Sequence, residues 1–165
     1  MRFAAFQHDD SVLSQRELVA AISVLRERGM HIVGVIEDRS ATAMEVCRVG
    51  TLRSLTTPAK YDMFLDAPPA DTSCRLDAMG VDAACSDLID QIPSADLVVL
   101  SKFGKLEAEQ HGGLVPAFLE AATAGKPVLT TVSAKHRATW QQFAPGAKVL
   151  LTADDAIGWL RHPHG

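Results

Sequence analysis

The sequence predicts an α/β fold: three layers, with a mostly parallel sheet of about five strands, helices on both faces, and a small β insertion near 45–57. Two observations carry this expectation. Short apolar runs bounded by polar residues recur along the chain, RFAAF at 2–6, HIVGVIED at 31–38, DLVVLS at 96–101, KPVLTTV at 126–132 and KVLLT at 148–152, and such runs suit strands buried on both sheet faces. Between them lie segments whose apolar residues return at helical spacing. The 165 residues, 47% hydrophobic and 22% charged, suffice for one full core without disulfides or a structural metal. One domain is therefore expected over 1–161, with 162–165 as a disordered tail.

The elements follow in order. After the strand at 2–6 comes the polar loop QHDDSVLS, and Ser14 with Glu17 three residues on matches a capping box. Leu18, Ala21, Ile22 and Leu25 continue a helix over 14–28, stopped by Gly29. Gly34 inside the second strand predicts close backbone packing or a bulge. EVCRVGTLRSLTT, 45–57, carries β-formers around Gly50 and reads as a hairpin or two short strands. The stretch 58–73, with Pro58, Pro68 and Pro69, reads as a long surface loop. A helix is expected over 78–92, through Val81, Ala84, Cys85, Leu88, Ile89 and Ile92, stopping at Pro93. Beyond the strand 96–101 and the turn KFGKLE, Val115, Phe118, Leu119 and Ala122 mark a helix ending at Gly125. Helices around 134–143 and over 153–161 complete the series, with Trp140 and Phe143 as core residues.

Composition excludes several function classes. Sixteen Lys and Arg against 20 Asp and Glu leave a net charge of -4, which removes the general attraction to nucleic acid, and 5% aromatic residues provide few stacking platforms. No stretch approaches the length of a membrane span, and the acidic start resembles no secretory signal. Cys47, Cys74 and Cys85 are odd in number and form no CxxC pair, which disfavours a disulfide framework and a zinc site. A cytoplasmic location is expected.

In an open parallel sheet, ligands bind beyond the carboxyl ends of the strands. The corresponding loops hold His8, Asp9, Arg39, Ser101, Lys102, Lys105, Glu107, Lys135, His136 and Arg137. Cations converging on one rim would take an anion. Lys102 and Lys105 flank Gly104, Ser101 offers a hydroxyl, and Arg75, Arg39 and His8 are further candidates, with Glu107 in support. The plainer alternative has Lys105 paired with Glu109 at i,i+4 and Lys102 solvated. Cys74 beside Arg75 is either a thiol of lowered pKa or a small buried apolar residue, and Asp77 either orients a partner or caps the next helix. No general base is evident, since only His8 and His136 of the scattered histidines fall at strand ends.

Several segments resemble known sequences. RERGMHIVGVI (26–36) and ADLVVLSKFGKLE (95–107) resemble, distantly, the helix, second strand and Walker B strand of THEP-type P-loop nucleoside-triphosphatases. CRLD, SKFGKLEAE, AGKPVLTTV and TWQQFAPG are similar to a bacterial domain family of unknown function, a likeness covering nearly the whole chain and centred on Phe103, Gly104, Lys105, Glu107 and Glu109. The resemblance implies a P-loop-like fold, yet the chain departs from it at both nucleotide motifs. A P-loop needs GxxxxGK[ST] so that backbone amides wrap the phosphates and Lys neutralises them, whereas FQHDDSVLSQREL (6–18) has no glycine and no lysine. Ser101 and Lys102 stand where such enzymes carry acids for Mg²⁺. The expectation is a nucleotide- or oxyanion-binding protein with a sensor, carrier or regulatory role, without ordinary NTP hydrolysis and without Mg²⁺; the resemblance adds a link to metal or molybdate metabolism. The alternatives are a nucleoside-triphosphatase or phosphoryl-transfer enzyme with rearranged residues, and an interaction subunit that pairs with itself or another protein.

Overall fold

The computed structural model describes residues 1–38, 50–63 and 78–162. Within them lie β1 (Phe3–Phe6), α1 (Ser11–Glu27), β2 (Ile32–Asp38), β3 (Thr51–Ser54), β4 (Lys60–Asp62), α2 (Ala78–Ile89), β5 (Leu97–Phe103), α3 (Lys105–Gln110), α4 (Val115–Thr123), β6 (Val128–Val132), α5 (Arg137–Phe143), β7 (Lys148–Leu150) and α6 (Ala153–Arg161). The sheet has seven strands in the order β4-β3-β2-β5-β6-β1-β7. β2, β5, β6, β1 and β7 run parallel, as the apolar runs predict, while β3 and β4 add an antiparallel hairpin at one edge. The sheet is thus mixed.

Alternation along each strand sorts the apolar side chains into two cores. Phe3 and Ala5 of β1, Val33 and Val35 of β2, and Val98 and Leu100 of β5 pack with α2, α4 and Trp140 of α5. Ala4, Phe6, Ile32, Ile36, Leu97 and Val99 face the other way, onto Leu18, Ile22 and Leu25 of α1 and Ile157 of α6. No described helix is long and apolar enough to cross a membrane.

Several elements depart from expectation. Helix α1 starts three residues before Ser14: Asp10 is the N-cap, its carboxylate accepting from Val12 N, because an aspartate at the strand exit meets the orphan amides first. Ser14 instead lies inside the helix, buried, its Oγ accepting from His8 N at 3.1 Å. The β insertion is displaced toward the C-terminus, so residues 60–62 of the expected loop are strand; residues 45–49 and 64–73 lie outside the described residues. Tyr61 ties this hairpin to α2, its hydroxyl donating to Asp87 Oδ2 at 2.6 Å; burial, then that carboxylate, pushes the Tyr61 pKa up to about 12. Helix α2 ends at Ile89, and Ile92–Ser94 form a separate 3-10 turn around Pro93. Strand β5 runs on through Lys102 and Phe103, and the expected turn KFGKLE gives way to α3. Leu119 faces solvent, 53% exposed.

Candidate functional site

The topology places the site. Helix α1, leaving β1, covers one sheet face, while α5, leaving the neighbouring strand β6, covers the other. Chain connections that diverge to opposite faces open a crevice at the carboxyl ends of the two strands. A cleft lies there. Ser11, Ser14 and Gln15 of α1 form one wall; Thr131, Val132 and Ser133 at the end of β6 form the floor; Lys102 of β5 and Glu37 of β2 close the far side. Its volume is about 10 Å³, room for about one water molecule, so it seats one oxygen atom of a ligand and not a nucleoside.

Lys102 reaches the cleft because β5 breaks its alternation. Leu97 and Val99 face α1 while Val98 and Leu100 face the opposite core, so strict alternation would aim Phe103 at α1. The register instead shifts between Leu100 and Phe103. That irregularity returns Phe103 to the aromatic core, against Phe118 and Trp140, and leaves half-buried Lys102 at the crevice. Bulges next to functional sites commonly re-aim a side chain in this way.

Ser101 is 1% exposed. Its Oγ accepts from Glu37 N at 2.8 Å and its carbonyl accepts from Thr131 Oγ1 at 2.9 Å, stitching β2, β5 and β6 together directly under the cleft. In the β1–α1 loop, Arg137 donates to Gln7 O and to Asp9 Oδ1, at 3.0 and 2.9 Å. With Asp10 capping α1, both acids of this loop are engaged. His8 turns the other way, its Nε2 lying 2.7 Å from Leu151 O beyond β7, and does not join Lys102. Lys105 is exposed on α3, outside the cleft lining. Its expected partner Glu109 is taken by Lys135 at 2.9 Å and by His136 Nε2 at 3.4 Å, and these hydrogen bonds hold the Glu109 carboxyl below the usual range. Lys102 is half-buried and lines the cleft. Arg39, Cys74, Arg75 and Asp77 lie outside the described residues.

Glu107 is built into the scaffold. It is 6% exposed, its Oε2 accepting from Gly104 N at 2.9 Å and its Oε1 from Leu114 N at 3.0 Å. Gly113, at φ 60°, passes so close that a Cβ there would lie 2.5 Å from Oε1. Gly104 is the buried N-cap of α3 at φ -122°. Burial pushes the Glu107 carboxyl up, against the pull of these amides and of the Lys102 charge. A carboxyl raised above its unfolded value of about 4.3 contributes stability that is complete below that pH and is lost as pH rises through the folded pKa. Urea unfolding of wild type and Glu107→Gln is therefore expected to show the wild-type advantage shrinking from pH 4 toward neutrality. An advantage that grows with pH contradicts this.

Three cleft features escaped the sequence reading. Gln15 lines the cleft wall, and its Nε2 is buried without a hydrogen-bond partner. Glu37 lines the far side, its backbone N–H donating to Ser101 Oγ at 2.8 Å. Ser133 lines the floor and holds its Oγ 3.1 Å from His136 Nδ1. The spacing Ser-x-x-His immediately after a buried strand was the available signal for the last pair; Gln15 and Glu37 carry no local signal, being brought together only by the sheet order. Among the described residues, no three His, Cys, Asp or Glu gather as a metal site.

A family model described as "Protein of unknown function (DUF2478)" matches residues 3–159. No curated protein and no solved structure matches the chain.

Proposed function

We propose that this chain, which belongs to the DUF2478 family, binds a tetrahedral oxyanion, either free or as the terminal phosphate of a nucleotide, on a degenerate P-loop-like scaffold without ordinary NTP hydrolysis. The observation that carries the reading is a cleft lined by a lysine and by an amide donor that lacks an acceptor. Gln15 lines it and has its Nε2 buried without a hydrogen-bond partner, and the basic residue Lys102 lines the same small space. A buried polar group left unsatisfied costs about 1–3 kcal/mol, and an anionic oxygen seated between the amide and the ammonium recovers that cost with a charge-assisted bond. The P-loop-like element of the proposal draws support from the five parallel strands and from the position of the β1–α1 loop at the switch point. That loop has neither glycine nor lysine, so no phosphate is wrapped there. Lys102 supplies the charge that a metal ion supplies in P-loop enzymes. This suits a sensor, carrier or regulatory protein of the cytoplasm.

Thermal unfolding is measured with phosphate, sulfate, molybdate, tungstate, ATP and GTP. A bound anion at 100 times its Kd stabilises by about 2.7 kcal/mol, roughly 5–10 °C for a domain of this size. Lys102→Ala is expected to abolish the shift. No shift with any anion, or a shift that survives Lys102→Ala, overturns the reading.

A further inference from the structure

We propose that the cleft is also a nucleophilic centre, in which Ser133, activated by His136 and Glu109, attacks the carbonyl carbon of a carboxylic ester. This deepens the anion-binding reading and rests on it, because the one-oxygen seat of Gln15 and Lys102 becomes the seat of the developing oxyanion. Ser133 stands at the N-cap of a 3-10 turn, yet its hydroxyl makes no capping bond and instead meets the imidazole of His136, at 3.1 Å from Nδ1. The other ring nitrogen, Nε2, lies 3.4 Å from Glu109 Oε1. A carboxylate only accepts hydrogen bonds, so of the two neutral tautomers it favours the one with the proton on Nε2, which leaves the Nδ1 lone pair facing the hydroxyl. The roles of the two nitrogens are exchanged relative to the Ser-His-Asp triad, and such centres are recognised by geometry and role rather than by order in the chain. His136 is itself buried, 8% exposed. Lys135, 2.9 Å from the same Oε1, anchors Glu109 on the imidazole side. Glu109 acts as a positioning residue.

The reaction balances within the site. Ser133 Oγ bonds to the ester carbon as its proton passes to His136 Nδ1, and the carbonyl electron pair moves onto the oxygen seated by Lys102 and Gln15. Collapse expels the alkoxide, which takes the Nδ1 proton and leaves as an alcohol. Water then repeats the sequence on the acyl-serine, its proton passing through His136, and releases the carboxylic acid with Ser133 restored. A one-oxygen seat beside a cation favours the negatively charged oxygen of this adduct over the neutral carbonyl oxygen of the ester, which is the requirement for lowering the barrier.

The test is covalent labelling with a fluorophosphonate, whose phosphorus forms a stable tetrahedral adduct with an activated serine and releases fluoride. Mass spectrometry of the intact wild-type protein is expected to show one adduct, mapped to Ser133. It is lost in Ser133→Ala, and the labelling rate falls at least tenfold in His136→Gln. Glu109→Gln, at an exposed position, keeps the melting temperature and the anion-induced shift while slowing labelling by a similar factor. No adduct, an adduct on another serine, or a rate at Ser133 unchanged in both Glu109→Gln and His136→Gln overturns the proposal. Anion-induced stabilisation is measured on the same preparation: a protein that binds anions but resists the probe refutes the nucleophile alone, and one that does neither refutes both readings.

Discussion

Gly34→Ala is expected to destabilise the protein by at least about 3 kcal/mol, the sum of overpacking and backbone strain at one site. Gly34 lies mid-strand in β2, opposite Val99 of β5, at φ 148°, where a Cβ would stand 2.0 Å from the Val99 carbonyl oxygen. The obstacle is backbone in the middle of the sheet, so no side-chain rotation relieves it. The same position accepts a hydrogen bond at 2.8 Å from Leu55 N, just beyond β3, so the hairpin is disturbed as well. Function follows stability here, because the β2–β5 pairing carries Glu37 and Lys102 to the cleft. Gly29→Ala is the control: at φ 80° it is strained, but nothing lies within 4 Å of its Cβ, and a cost of about 1 kcal/mol is expected. Urea unfolding of the two variants checks the contrast. Equal losses would show that the close approach of β2 and β5 is not what holds the glycine.

Trp140→Ala is expected to cost about 3–5 kcal/mol. Trp140 is 1% exposed and packs its ring centroid 5.1 Å from Phe103, 5.8 Å from Phe118, 6.0 Å from Phe143 and 6.1 Å from Phe3. These rings come from β5, α4, α5 and β1, so one truncation opens a cavity where four elements meet. The indole Nε1 is buried without a hydrogen-bond partner. Trp140→Phe therefore loses no hydrogen bond and is expected to cost under about 2 kcal/mol, the size of an ordinary volume change in a core. The ordering Ala far above Phe, read from denaturant midpoints, supports the account; a Phe variant as damaged as Ala would mean that the indole nitrogen has a partner in solution.

The parts legible in the sequence are those with a local physical cause. Apolar runs marked all five parallel strands, helical spacing marked α1, α2 and α4, and the segments between and after the last strands were read as the helices that include α5 and α6. Gly34 was legible as a point of close backbone packing, since a glycine inside an apolar strand has few other uses. The N-cap of α1 was misread because Asp10 and Ser14 both offer a capping oxygen and only the strand exit decides between them. Helix α3 is short and stands on the buried Glu107 carboxylate, whose second amide partner, Leu114, comes from beyond its end. The site was half legible. Lys102 was singled out by its position after a buried strand, but the register shift that turns it into the cleft depends on where Phe103 finds its aromatic partners. Lys105 and His8 share that strand-end signal and yet lie elsewhere, because proximity to a strand end sets neither the direction of a side chain nor its competing partner, Leu151 O for His8. Gln15, Glu37 and Ser133 meet only when β1, β2 and β6 are arranged in the sheet.

Anomalous diffraction from crystals of the protein grown with tungstate shows whether the crevice between α1 and the end of β6 seats an anionic oxygen between Lys102 and Gln15. A tungsten peak is expected at the mouth of the cleft with one oxygen within hydrogen-bond distance of Lys102 Nζ and Gln15 Nε2, and it is expected to be lost in crystals of Lys102→Ala. A cleft without tungsten, with the metal instead beside exposed cations such as Lys105 or Lys135, would contradict it.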